Sequence, residues 1–332
     1  MHRDDIIAHC GNEQQHGGIR RYRLDDGPGL GQRVWEVHEA SGWLLQLLPD
    51  RGLDCAAASW RGENLAWLSL NGLTDPAAYD PVGIGWLRSF TGGLLTTCGP
   101  THFGPPCNDA GEDCGLHGRF HVSPARSVNG SSDWSETGLV HRVSGIIEEA
   151  RLFGHRLRIE RSWRLAAGAV ELHDRIRNDA DAPAPLCLLY HCNFGWPLLG
   201  PATRLEGAIA STEPRDEAAA AALAEVRSCH APQAGFAEQV FFHTPESDPD
   251  GWAHMQLINA ERGLRVGLSW DASTLPALTQ WRCLGHGAYV CGLEPGTAFV
   301  RSRAELRARG ELPTIAPGEE RLHRLRFSVE HI

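Results

Sequence analysis

Three short stretches carry side chains that can move protons: GLHGR at Gly115–Arg119, YHCNFGWPLL at Tyr190–Leu199 and CGLEPGT at Cys291–Thr297. In the last, Glu294 stands between Leu293 and Pro295. The proline fixes the backbone beyond the acid and biases the acid itself toward an extended conformation. Apolar neighbours place the carboxyl at least partly out of water, which favours its neutral form and raises its pKa toward the range useful near neutral pH. His191 ends the apolar run LCLLY and is followed by Cys192, Asn193 and Phe194. His117 has Gly115 two residues before it and Gly118 directly after, which admit a ligand closely or simply permit a tight turn.

Singly, these residues have ordinary readings: a strand-end glutamate meeting an arginine at the surface, and two hydrogen-bonded structural histidines. Together they supply what proton shuttling on a hemiacetal requires. The carboxylate takes the proton of the anomeric hydroxyl while a histidine protonates the ring oxygen. The C–O bond then breaks to an open-chain aldehyde, and rotation followed by reclosure gives the other anomer. Positioned acid–base catalysis carries such a reaction without metal or nucleotide, so no cofactor is expected.

Trp196, just past His191, and Trp281 in LTQWRC are suited to stacking on a pyranose, as is Trp86; each is equally suited to a core. His102 and Asn193 are candidate hydrogen-bonding partners for sugar hydroxyls. A patch of Cys98, His102, Cys107, Cys114, His117 and His121 is rich in soft donors, but its spacings fit no zinc knuckle, and no metal is expected from it. Gly-rich pieces such as GIGWLRSFTGG lack the spacing and the strand–loop–helix context of a nucleotide loop.

The elements that must position these groups read almost entirely as strands. RVWEVHE alternates, with Val34, Glu36 and His38 on one face and Trp35 and Val37 on the other. LRIERSWRL and AVELHDRIRN predict a hairpin about a turn at Ala166–Gly168, with strands over His155–Leu165 and Ala169–Asn178. Further strands are expected over His117–Val122 and Gly138–Glu149. Residues 1–31 are polar and Gly-rich and end in the turn-forming DDGPGLGQ. Residues 71–115 form a long Gly/Pro-rich loop of the kind that carries function. One helix is expected, within PRDEAAAAALAEVR at 214–227, as an excursion between strands. Regular βαβ alternation is absent, which argues against a doubly wound sheet. The expectation is one all-β domain over 1–332, a large antiparallel β-sandwich with a few short helices and with 1–30 as an N-terminal extension packed on it.

Composition narrows the partners. Acids outnumber Lys and Arg by 41 to 31, a formal charge of −10, with no dense basic tract. Nucleic acid and anionic membrane are therefore not expected partners. No stretch reaches the roughly 20 apolar residues of a membrane-spanning helix. The polar start MHRDDIIAHCGNEQQ lacks a signal-peptide core, and the ten cysteines lie at irregular positions as expected of buried free thiols. A cytoplasmic location is expected.

GLHG, YHCNFGWPLL and CGLEPGT, in that order along an all-β chain of this length, resemble the aldose 1-epimerase (galactose mutarotase-like) superfamily. The resemblance runs from about residue 30 to the end and is nearest to the bacterial branch with a GGLLTTCG-type segment, here Gly92–Gly99. It implies a β-supersandwich and cofactor-free mutarotation of an aldose in carbohydrate metabolism, with a small-molecule sugar as partner and a homodimer left open. By match to the family's motifs, His191 is the general acid at the ring oxygen, Glu294 the general base, and His117 helps hold that oxygen. The family's early Asn-Arg pair has no counterpart; Arg88 stands nearest to it and Arg119 second. A non-catalytic carbohydrate-binding or regulatory protein and a related sugar isomerase, metal-dependent if the Cys/His patch binds an ion, are the rival readings.

Overall fold

In the computed structural model, which describes residues 3–136 and 138–332, alternation builds three large antiparallel sheets and two small two-stranded ones. Met1 and His2 of the expected N-terminal extension lie outside the described residues. The first sheet holds β1 (Gly18–Arg23), β2 (Arg33–His38), β3 (Trp43–Leu48), β4 (Asp54–Trp60) and β5 (Glu63–Asn64) in chain order. The polar N-terminal segment thus supplies an edge strand. Its pattern, with no buried residue, gives no apolar period to read.

The long loop then yields a three-residue strand, β6 (Thr96–Cys98), and a hairpin of β7 (Cys107–Asp109) and β8 (Glu112–Cys114). No strand forms over 117–122. His117 sits at a positive φ of 57°, and Phe120–Val122 is a single 3₁₀ turn. β9 (Arg126–Ser135), β10 (Gly138–Ala150), β11 (Arg156–Ala166) and β12 (Ala169–Asn178) follow as a meander. β11 and β12 pair in the expected register. Ala167 and Gly168 between them take φ of 50° and 79°, the left-handed pair of a two-residue hairpin turn.

The second half contributes β13 (Ala184–Pro185), β14 (Leu189–Gly195), β15 (Thr203–Gly207), β16 (Ile209–Pro214) and β17 (Gln239–Pro245). It closes with β18 (Trp252–Asn259), β19 (Leu264–Asp271), β20 (Ala277–Gly285), β21 (Ala288–Gly296), β22 (Thr314–Ile315) and β23 (Glu320–His331). The eight-stranded sheet has the order β15-β18-β19-β23-β12-β11-β10-β9, and a six-stranded sheet the order β16-β17-β20-β21-β14-β6. Helices are short: α1 (Arg3–His9), α2 (Glu217–Ala221) and α3 (Arg303–Ala308). α2 occupies only part of the expected 214–227 helix, capped by the Asp216 side chain and breaking into a 3₁₀ turn at Leu223–Glu225. None of these helices is long and apolar enough to cross a membrane.

The six-stranded sheet positions the site because both of its faces are covered. Tyr190, Cys192, Phe194, Cys291 and Leu293 belong to the main core, together with Trp43, Trp163 and Trp270 from the other sheets. On the opposite face lies a smaller cluster around Trp86, Phe90, Phe103 and Leu189. Strand periodicity sends Leu189, His191 and Asn193 one way and Tyr190, Cys192 and Phe194 the other. The same rule turns Gly292 and Glu294 away from the main core, toward the side where His191 points.

Candidate active site

β14 and β21 are hydrogen-bonded neighbours, with Cys192 opposite Leu293 and Asn193 opposite Gly292. The long sequence separation between His191 and Glu294 collapses to one strand spacing, and His191 Nε2 lies 3.1 Å from Glu294 Oε1. Both side chains are buried, yet this contact is not a formed hydrogen bond: Glu294 Oε1 and His191 Nδ1 have no partner. Burial lowers the His191 pKa to about 3, with Asn193 opposing. Burial also pushes Glu294 well above the usual glutamate range, with Glu238 adding to the rise and Arg215 opposing it. Both shifts favour neutral groups, so the pair holds one proton, resting on the carboxyl.

Close packing of this pair requires a glycine on the neighbouring position. A Cβ at Gly292 would stand 2.7 Å from Glu294 Oε1 and 3.2 Å from His191 Cε1. His117 arrives from the loop, its ring centroid 6.1 Å from that of His191. The Gly104 N–H donates to His117 Nδ1 at 3.3 Å, which leaves the proton of the neutral ring on Nε2. Burial, followed by the charges of His191 and His102, lowers its pKa well below the ordinary histidine value. His117 is therefore a neutral hydrogen-bond donor.

The three groups open on a cavity of about 370 Å³ walled by Trp86, Phe90, Leu116 and Trp281. Its size is that of a small-molecule site. Polar groups at its rim are Thr279, Arg215 and Glu238. Thr279 stands opposite Glu294 across β20 and β21, and its buried hydroxyl has no partner. Glu238 accepts from Trp281 Nε1 at 3.0 Å and from Arg215 at 2.9 Å, fixing that indole by its polar edge. Trp86 is held likewise, its Nε1 donating to His121 Nδ1 at 3.1 Å while His121 Nε2 meets Ser89 Oγ. Elsewhere, a depression of about 480 Å³ at Asp109, Glu112, Arg303 and Arg307 has its charges already paired with one another.

Of the residues singled out in the sequence, His117, His191, Glu294, Trp86 and Trp281 line the cavity. Others do not. Arg88 and Arg119 are exposed outside it, the latter 3.5 Å from Glu149. Trp196 is 73% exposed and does not line the cavity. Asn193 is fully buried, and its amide donates to the Gly93 and His191 carbonyls, so it braces β14 rather than meeting a ligand. His102 is buried behind the His117 loop, where burial and Arg303 hold its pKa at about 4. Cys98 is buried and its thiol is pushed well above its normal range by burial, which removes it as a nucleophile. Arg215, Glu238, Thr279 and Phe90 escaped sequence reasoning. Arg215 lies within the 214–227 stretch and Glu238 beyond it, directly before β17, and nothing local marks either.

Residues 29–329 match the family described as "Domain of unknown function (DUF4432)". A comparison with curated protein sequences finds no match. Among solved structures, a "putative aldose 1-epimerase" from Klebsiella pneumoniae has a TM-score of 0.90 at 25% identity, covering 96% of this chain and 86% of that one. A galactose mutarotase-like protein from Clostridium acetobutylicum has a TM-score of 0.68 at 15% identity, covering 96% of this chain and 100% of the other. For the galactose 1-epimerase of Lactobacillus acidophilus the score is 0.59 at 12% identity, covering 95% and 99%. The fold is that of the galactose mutarotase-like superfamily.

Proposed function

We propose that this chain, which belongs to the DUF4432 family and has the mutarotase-like fold, is an aldose 1-epimerase-type enzyme that interconverts the α and β anomers of a sugar. One observation carries the reading: a buried carboxyl and a buried imidazole 3.1 Å apart, with Glu294 Oε1 and His191 Nδ1 left without hydrogen-bond partners, at the floor of an aromatic cavity. The one proton crosses from Glu294 to His191 when a polar ligand enters, leaving carboxylate and imidazolium. Glu294 then takes the anomeric hydroxyl proton while His191 protonates the ring oxygen, and the C–O bond breaks. His117, donating from Nε2, orients that oxygen. Reclosure on the other carbonyl face reverses both transfers and restores the pair, so no net proton is consumed. Trp86 and Trp281 supply faces for the sugar ring, and Arg215, Glu238 and Thr279 supply groups for its distal hydroxyls.

A non-catalytic carbohydrate binder on this fold gains nothing from a buried acid without a partner, which costs stability in every ligand-free molecule. Saturation-transfer NMR or polarimetry over a panel of aldoses tests the proposal. Faster anomer exchange on at least one sugar, lost in Glu294→Gln and in His191→Asn, supports it. No acceleration on any sugar of a broad panel ends it, and acceleration that survives both substitutions ends the assignment of roles.

A further inference from the structure

Behind the cavity wall a second group of metal-ligating side chains meets. His102 is only 3% exposed, and neither of its ring nitrogens has a hydrogen-bond partner. Its ring faces Cys107 and Cys114, which sit directly opposite each other on β7 and β8, and one donor atom from each of the three lies within 4.8 Å of the others. Both cysteines are free thiols. None of the three lines the cavity, and none has a part in the proton transfers above. A buried imidazole without a hydrogen-bond partner is costly.

We propose that His102, Cys107 and Cys114 bind one zinc-class divalent cation that clasps the loop carrying His117. Two thiolates and an imidazole are the donor set of a soft or borderline ion, and oxygen-seeking Ca²⁺ and Mg²⁺ do not select it. Ligands around a tetrahedral zinc stand roughly 3.5 Å apart, so the observed spacing needs a contraction of about an ångström, with the fourth position going to water. On binding, each thiol gives its proton to solvent and the imidazole stays neutral, which balances charge and protons. The placement gives the ion a task. Gly104, Pro105 and Pro106, between His102 and Cys107, line the cavity, as do Leu116 and His117 just after Cys114. Joining 102, 107 and 114 fixes both ends of that wall. The hairpin is already tied at its tip, where Asp109 accepts from Arg303 and Arg307 of α3. The ion ties it at its base.

The proposal stands whether or not the cavity turns over a sugar, and its test does not depend on activity. Full-length protein, reduced and stripped with chelator, is titrated with Co²⁺ and then Zn²⁺. Expected are one Co²⁺ per chain with thiolate-to-cobalt charge-transfer absorption, displacement by Zn²⁺, and a rise in melting temperature with either ion. Cys107→Ser and Cys114→Ser each abolish the charge-transfer signal or weaken binding by more than the roughly 10–100-fold that loss of a supporting residue costs. Should a variant fail to fold, alkylation of the wild-type protein read by mass spectrometry decides: Zn²⁺ protects Cys107 and Cys114 and leaves Cys10 reactive. The proposal is overturned if the reduced chain binds no Co²⁺, if the signal survives both serine variants, or if Zn²⁺ leaves Cys107 and Cys114 unprotected. A metal-free protein isolated with a Cys107–Cys114 disulfide that, once reduced, takes up no Zn²⁺ overturns it equally.

Discussion

Tyr190 and His191 are consecutive residues of one strand, and each faces a buried polar cluster. On the Tyr190 side the Arg161 guanidinium binds Asp174 through two oxygens at 2.9 and 2.6 Å, Asp54 at 2.5 Å and Thr97 at 2.9 Å. The Tyr190 hydroxyl donates to Asp174 at 2.8 Å. These residues come from the three large sheets, and every donor of the guanidinium has an acceptor. On the His191 side the acid and the base are just as buried, but Glu294 Oε1, His191 Nδ1 and the Thr279 hydroxyl lack partners. A buried polar group left without a partner costs about 1–3 kcal/mol, so a fold keeps several together only where a ligand completes them. The first cluster stitches sheets; the second leaves polar atoms free for a ligand.

If that distinction holds, substitutions on the two faces of β14 have opposite signatures. The largest effect is on rate: Glu294→Gln lowers anomer exchange by roughly 10²–10⁴-fold, the span of positioned acid–base catalysis. Its denaturation midpoint stays at or above that of the wild type, because the uncompensated acid is gone. Loss of activity accompanied by unfolding would erase the contrast. Asp174→Asn reverses the pattern. It removes one of the two carboxylates that hold the buried Arg161, leaving Asp54, and lowers stability by about 1–3 kcal/mol in chemical denaturation, while the protein that remains folded keeps its exchange rate. Gly292→Ala is intermediate. Its methyl group would meet Glu294 Oε1 at 2.7 Å and push the pair apart by part of an ångström, lowering the exchange rate about 100-fold with little change in midpoint.

The two faces were unequally legible in the sequence. The period-two run of LRIERSWRL and AVELHDRIRN fixes a hairpin register, and through it places Arg161 beside Asp174. For the site, Glu294 and His191 were readable because each ends or follows an apolar run, and alternation within LYHCNFG and AYVCGLEPG assigns their faces. What failed has a common cause. Arg88, Arg119 and Trp196 were chosen for nearness in the chain to a motif, but side chains around a cavity are assembled by strand neighbours remote in sequence. Arg215 directly follows β16 and Glu238 directly precedes β17, strands two and one beyond β20, and no local pattern marks them. His117 reads as strand because GLHGR is flanked by apolar residues. Its left-handed backbone is set by the Gly104 contact and the loop around it, which are tertiary.

The smallest effect separates the faces by pH. Glu294 is raised above the 4.5 of an exposed glutamate, so the folded state holds its proton more tightly than the unfolded chain. Its favourable contribution is complete below pH 4.5 and is lost as pH rises through the folded value. His191 is lowered from 6.5 to about 3, so its contribution is present above pH 6.5 and is lost as pH falls toward 3. Each group adds a slope of at most about 1.4 kcal/mol per pH unit, and the two slopes have opposite sign. Relative to the wild type, Glu294→Gln therefore becomes progressively more stable as pH climbs above 4.5. His191→Asn, whose side chain never titrates, becomes progressively more stable as pH drops below 6.5. Denaturant midpoints of the three proteins between pH 4 and pH 8 read both slopes. Parallel curves would mean that neither group sits in the dry, unpartnered setting from which its chemistry has been argued.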